Sequence, residues 1–258
     1  DIVGCIESIK ISDDIIILDS YSTDKTEEKT REFKVRFIKR EFDNWSSHQN
    51  WALENINFKN DWVFYIDADE RATSELIKEL IKISESDLSS SLVGFRVRRR
   101  DYFNKRHLKN VQATLWYLRF FKPSFIHYER LVNPVTIARG KVGELKGFLD
   151  HFPFSKGIAH WIDRHNSYST FEAKEIIKTQ KSKVYLRKVF LEKDYNLRKA
   201  NQKELFYKLP FRPFFKFIYI FIIKKGFLDG YQGFIYALLQ SIYEFFIAIK
   251  VEELNLKK

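Results

Sequence analysis

Phe64-Tyr65-Ile66-Asp67-Ala68-Asp69-Glu70-Arg71 is the stretch on which the reading of this chain turns. Beginning at Trp62, the apolar run through Ile66 is aromatic and β-branched, the composition of a buried strand. It stops at two carboxylates, and a helical pattern follows, started by Thr73 and carrying Leu76, Ile77, Leu80 and Ile81 on one face. Strand, acidic turn and helix in that order make one unit of an α/β domain. Ligands of such sheets gather at the C-terminal ends of the strands. Asp67 and Asp69 therefore stand where chemistry is expected.

The same alternation runs upstream. Val3, Ile6 and Ile9 have helical spacing, and Ile15 to Leu18 is a short buried strand that ends at Asp19 and Ser20. Asp24 with Glu27 starts a helix running to about Phe33, Val35 to Ile38 is a second strand, and Ser46 with Gln49 opens another helix. Leu92 to Val97 alternates as a strand. The expectation is an α/β fold with a mostly parallel sheet flanked by helices. A hard cation such as Mg²⁺ or Mn²⁺ takes oxygen ligands, one or two of them carboxylates and the rest substrate phosphate oxygens and water. Asp67 and Asp69 suit that role, although an Asp-x-Asp at a strand end is equally the pattern of a capped turn.

Charge and aromatic content divide the chain. The net charge is +11 across 258 residues, yet the windows 96–109, 181–203 and 206–250 together exceed it, leaving the front half mildly acidic. A basic back half seeks an anionic surface, nucleic acid or lipid. Between Phe206 and Phe246 the Phe and Tyr sit inside apolar runs rather than among exposed basic residues, which favours lipid and disfavours nucleic acid. The run from Pro213 to Ile223 is too short to span a bilayer as a helix. Tyr231 to Ile249 is nearly long enough, but Gln232, Tyr236, Gln240 and Glu244 draw a polar stripe along it. Arg212, Lys216, Lys224 and Lys225 are placed to meet anionic headgroups. A helical cap on a soluble core is the competing explanation. The single cysteine, Cys5, excludes an internal disulfide scaffold. With no methionine and no signal-peptide start at Asp1-Ile2-Val3-Gly4, an upstream strand is expected to be missing.

Taken together, Leu18-Asp19-Ser20-Tyr21-Ser22-Thr23-Asp24, the helix-opening Trp45-Ser-Ser-His-Gln-Asn50 and Ile66-Asp67-Ala68-Asp69-Glu70-Arg71 resemble the inverting glycosyltransferases of family 2, which have the GT-A nucleotide-sugar-binding fold. The second acidic motif matches fully; in the first, Tyr21 replaces the usual small residue. Gly140 to Gly147, Asp150-His151-Phe-Pro-Phe, His165-Asn166 and Lys224 to Gly230 resemble the subgroup associated with lipopolysaccharide core and related envelope glycans.

The resemblance implies a nucleotide-sugar donor and a lipid-linked or lipopolysaccharide-type acceptor, at the cytoplasmic face of the bacterial inner membrane, with a peripheral or re-entrant tail. It implies that Asp19, Ser20 and Asp67 hold the nucleotide, and that Asp67 and Asp69 hold Mg²⁺ or Mn²⁺. The subgroup's base lies in a His-Glu or Asn-Glu pair, but Asn133-Pro134 occupies the matching position, so Glu129 is taken as catalytic base, with Glu144 the other nearby carboxylate. The division implied is 1–155 for donor and acceptor, 156–204 as helical connection, and 205–258 as membrane-associated helices. A nucleotidyltransferase, or a binding protein that has lost catalysis, are the alternative readings.

Overall fold

The computed structural model describes residues 1–86, 91–112, 116–179, 186–191 and 195–257. The chain falls into two compact units, Asp1–Gly157 and Ile158–Lys258.

The first unit runs α1 (Ile2–Ile9), β1 (Ile15–Asp19), α2 (Thr26–Thr30), β2 (Val35–Lys39), α3 (Trp45–Asn55), β3 (Val63–Phe64), β4 (Glu70–Ala72), α4 (Ser74–Ser84), β5 (Leu92–Phe103), β6 (Arg106–His107), β7 (Trp116–Phe121), β8 (Ile126–Glu129), β9 (Val135–Ala138) and β10 (Lys141–His151). Strands β1 and β2 pair in parallel, Asp19 opposite Lys39. The main sheet has the order β3-β7-β5-β10-β4, with β6 folded back on β5. Only β5 and β10 are parallel there; β3–β7, β7–β5 and β10–β4 are antiparallel. The α/β class and the flanking helices match expectation, but the sheet is mixed. The reason is local: βα alternation ends at α4, after which, among the described residues, the strands follow one another with no helix long enough for a parallel return.

Two helix starts differ in detail from the sequence pattern. α3 is capped by Asn44, whose side chain accepts from the Ser47 N–H, rather than by Ser46. Asp24 accepts from the N–H and hydroxyl of Thr26, and α2 stops at Thr30. α4 packs its Leu76 and Leu80 on Phe95, Val97, Phe120, Leu145 and Leu149. β10 passes so close to α4 that a Cβ on Gly147 would lie 2.4 Å from the Leu76 Cα.

The second unit is helical: α5 (Gly157–Thr179, beginning at the unit boundary), α6 (Leu186–Leu191), α7 (Tyr195–Tyr207), α8 (Arg212–Ile218), a π-helical turn over Tyr219–Ile223, a 3-10 turn over Gly226–Asp229, and α9 (Gly230–Leu256). Part of the basic window 181–203 lies outside the described residues. α9 buries Gly233, Ala237, Leu239 and Ile247, but its burial does not simply follow polarity. Tyr236 and Glu244 are buried, while Phe234, Leu238, Ile242, Phe245 and Ile249 are exposed. Arg212 is not available to lipid as its sequence position suggested; it is buried, with Nε 3.5 Å from Glu244.

His165 stacks on Trp161 at 3.5 Å between centroids and meets Tyr243 edge-on. Burial pushes its pKa down to about 4. The unfolded chain therefore takes up a proton near pH 6.5 that the folded unit refuses. Stability contributed by the neutral ring is complete above pH 6.5 and is expected to fall by up to about 3 kcal/mol between pH 6.5 and 4. Urea titrations of wild type and His165→Phe across that range check this. Equal pH slopes for the two proteins would exclude it.

Candidate active site

The acidic turn is built by its own backbone. The Asp67 N–H donates to Glu70 Oε2 at 2.9 Å, and the Glu70 N–H donates to the Asp67 carbonyl at 2.9 Å. The buried Cys5 thiol lies 3.5 Å from the same carbonyl. Burial pushes that thiol up to about 12.

The side chains are set by a run of alternating charge reaching from strand to strand. Asp67 Oδ2 accepts from Arg119 Nη2 on β7 at 2.6 Å, and the same nitrogen donates to Glu70 Oε1 at 2.9 Å. Arg99 Nη1, on β5, lies 3.6 Å from Glu70 Oε1, and its Nε lies 3.1 Å from Asp101 Oδ1. Asp101 Oδ1 is 2.7 Å from His151 Nδ1, and His151 Nε2 is 3.5 Å from Asp69 Oδ2. The run begins at one aspartate of the turn and ends at the other. Its guanidiniums lie over aromatic rings, Arg119 over Tyr65 at 4.5 Å and Arg99 over Tyr117 at 4.2 Å.

Protonation follows from these contacts. Surrounding protein resists ionisation of Asp67, but the Arg119 charge wins and holds the carboxyl below its ordinary value. Burial raises Glu70 despite the same guanidinium. Burial and Arg99 oppose charge on His151, yet its hydrogen bonds to Asp101 and Asp69 prevail and raise it to about 9. Asp67 keeps 40% of its side chain open, so its free face is the one a ligand meets. A second line of contacts arrives from α3: Gln49 Nε2 donates to the Tyr65 hydroxyl at 2.8 Å, which donates to Asp67 Oδ1 at 2.7 Å.

Asp19 is buried at the end of β1, where its carboxylate accepts from the Ser22 N–H at 2.8 Å. Ser20 is exposed beside it, and Tyr21 is held at φ 56° with its ring largely in solvent. A bulky residue in that region is strained, which gives physical content to the missing small residue. Glu129 is exposed at the end of β8. Its neighbour Tyr128 packs near Tyr65, with ring centroids 6.4 Å apart, and exchanges two backbone hydrogen bonds with the Asn50 side chain. Glu144 is exposed seven residues before His151 on the same strand, about 20 Å away at the usual rise. By strand alternation Glu129 points to the opposite face of β8 from Tyr128.

In the sequence Arg99 stands only as part of the basic window 96–109 and His151 only within Asp150-His151-Phe-Pro-Phe, and no motif marks Arg119 or Asp101. Alternation on β5 holds the signal: Arg99 and Asp101 share the parity of Val97, whereas Arg98 and Arg100 face away, Arg100 onto Asp150 at 2.6 Å. Nothing comparable marks Arg119 before its partners are known.

The family model described as "Glycosyl transferase family 2" matches residues 1–149. The chain belongs to glycosyl transferase family 2. It is 28% identical, over 96% of its length and 85% of the relative's, to "Lipopolysaccharide core biosynthesis glycosyltransferase LpsC" of Rhizobium meliloti. It is 24% identical to "Uncharacterized glycosyltransferase RT0209" of Rickettsia typhi, over 99% and 84%. The crystal structure of S. aureus TarS aligns at TM-score 0.41 and 12% identity, over 92% of this chain and 52% of that one.

Among the described residues no three His, Cys, Asp or Glu side chains converge on one ion position. Two donors do face each other, Asp69 Oδ2 and His151 Nε2, and the imidazole is fixed from behind by Asp101. A carboxylate behind a histidine is the usual support of a ligating ring. The residues therefore fit a divalent ion that displaces the proton His151 otherwise holds towards Asp69 and completes its shell with diphosphate oxygens and water.

Proposed function

We propose that this family 2 glycosyltransferase moves a sugar, with inversion, from a nucleotide-diphosphate donor to a lipid-linked or lipopolysaccharide-type envelope glycan. The observation that carries this is the Asp67–Asp69 turn, braced by Arg119 and backed by His151. Asp19 and Ser20, with the open face of Asp67, would hold the nucleotide. Asp69 and His151 would hold Mn²⁺ or Mg²⁺, which supplies charge to the departing diphosphate. Asp67 remains a candidate ligand through the lone pairs that Tyr65 and Arg119 leave unused.

In a single displacement the acceptor oxygen forms its bond to the anomeric carbon as the bond to diphosphate breaks. Glu129 takes the hydroxyl proton. Glu129→Gln is expected to lower kcat by about 10²–10⁴-fold while donor affinity, read by equilibrium dialysis of labelled nucleotide-sugar, stays within a few-fold. Unchanged kcat would move the base elsewhere. Release of nucleoside diphosphate with an envelope-glycan acceptor tests the function as a whole; release of pyrophosphate would defeat it.

The functional division we propose is 1–155 for transfer, 156–204 as connection and 205–258 for attachment to the cytoplasmic leaflet of the inner membrane. Support comes from the outward apolar residues of the tail, Phe211 at 80% exposure and Tyr231 at 73%, near Lys224 and Lys225. The helical segment Gly226–Leu256 is long and apolar enough to cross a membrane, yet its Glu244 is buried inside the unit, which suits lying in the interface. Replacing Phe214, Phe227 and Tyr231 together by Ser is expected to weaken binding to phosphatidylglycerol vesicles by at least about tenfold, measured by flotation. Intact protein that ignores those vesicles would leave the tail as a structural cap.

A further inference from the structure

Asp101 and Arg99 lie on β5, outside the motifs that mark the family resemblance, and both are nearly closed to solvent, with side chains 4% and 16% exposed. Burying a carboxylate and a guanidinium is costly unless their contacts are specific. The contact of Asp101 with His151 is directional. Asp101 Oδ1 takes His151 Nδ1 at 2.7 Å, which leaves Nε2 as the ring atom facing Asp69. Arg99 makes ion pairs rather than hydrogen bonds, with Nε 3.1 Å from Asp101 and Nη1 3.6 Å from Glu70, so its charge sits between the carboxylate behind the imidazole and the last acid of the turn. Tyr117 covers the guanidinium and removes its freedom to swing away. Two strands set the spacing: β5 and β10 run parallel with Asp101 opposite His151, and His151 is in turn opposite Glu70 on β4.

We propose that Asp101 and Arg99 are positioning residues for cation capture: Asp101 fixes the His151 ring so that Nε2 faces Asp69, and Arg99 holds Asp101 and Glu70 in register. Neither touches the ion or the sugar. They act by removing the ring's other orientations before a cation arrives. This rests on the assignment of Asp69 and His151 to the metal.

The test is Mn²⁺ binding to the full chain without donor, followed by the electron paramagnetic resonance signal of free Mn²⁺. Asp101→Asn keeps the shape but loses the negative charge and the acceptor-only character that fix the ring; the expected result is a 10–100-fold rise in the Mn²⁺ dissociation constant. Arg99→Lys, which keeps a positive charge but not the fork, is expected to give a smaller rise of several-fold. Asp150→Asn is the control. It breaks the bidentate Arg100–Asp150 pair on the same two strands, one residue back from His151, and should leave Mn²⁺ affinity within about twofold. Circular dichroism melts confine the comparison to folded protein. If Asp101→Asn is too unstable, Arg99→Lys against Asp150→Asn gives the same contrast.

Equal Mn²⁺ affinity in wild type, Asp101→Asn and Arg99→Lys overturns the positioning role while transfer by the wild type stands. Weakening as large in Asp150→Asn also overturns it, because strand loosening would then explain the loss. Wild type that transfers sugar in excess chelator and binds no Mn²⁺ overturns the metal assignment and this inference together, but not the glycosyl transfer.

Discussion

Asp69→Asn is expected to lower kcat/KM for glycosyl transfer by on the order of 10³, or about 4 kcal/mol of transition-state stabilisation. The substitution keeps the size and shape of the side chain. The Asp69 carbonyl still accepts from the Phe152 N–H at 2.8 Å, so the turn remains tied to the end of β10. What is lost is a negative oxygen 3.5 Å from His151 Nε2, the pair proposed to hold the cation against the leaving diphosphate. An amide is a poor ligand for a hard divalent ion and offers no charge. The measurement is nucleoside diphosphate release across a Mn²⁺ titration. Partial recovery at high Mn²⁺ would locate the defect in metal affinity; undiminished turnover at low Mn²⁺ would defeat the role given to Asp69.

The largest effect on stability is expected at Arg119→Met. Arg119 and Glu70 are both buried, at 7% and 0% side-chain exposure, and the guanidinium is the nearest positive charge to the Glu70 carboxylate. Removing it strands an acid in the interior, which costs about 3–5 kcal/mol. For a unit of this size that corresponds to a fall in melting temperature of about 10 °C. The pair itself adds little net stability, because its contacts mostly offset the cost of desolvating both charges. The double variant Arg119→Met/Glu70→Gln should therefore recover much of the loss. A double variant no more stable than the single one would mean that Arg119 acts through packing on Tyr65 rather than through charge.

The parts of the fold that the sequence made legible are those with strong local signals. β1, β2 and α4 appear where apolar period and start residues placed them, and α3 begins within two residues of its expected start, because each is a short element with its own boundary. The mixed sheet was not legible, since strand direction is decided by pairing between segments as distant as Arg99 and Leu149. The same division holds within the site. Asp19, Asp67 and Asp69 lie at chain turns and could be named from one segment. Arg119, Arg99, Asp101 and His151 belong to three strands, and their sequence gives no sign that 32 residues of separation between His151 and Arg119 close into one run of charge. Arg212 misled for the related reason that a basic residue beside an aromatic run looks the same whether it meets lipid or a buried Glu244.

Cys5 has a practical consequence. It is the only cysteine in the chain, it is buried behind the Asp67 carbonyl, and burial pushes its thiol up to about 12. Thiol reagents attack the thiolate, whose population at neutral pH is then on the order of 10⁻⁵. These 258 residues are thus a silent background for site-specific labelling. A cysteine introduced in this chain at an exposed position such as His127 would carry a fluorophore or spin label on the same face of β8 as Glu129, and would test whether the acceptor enters there.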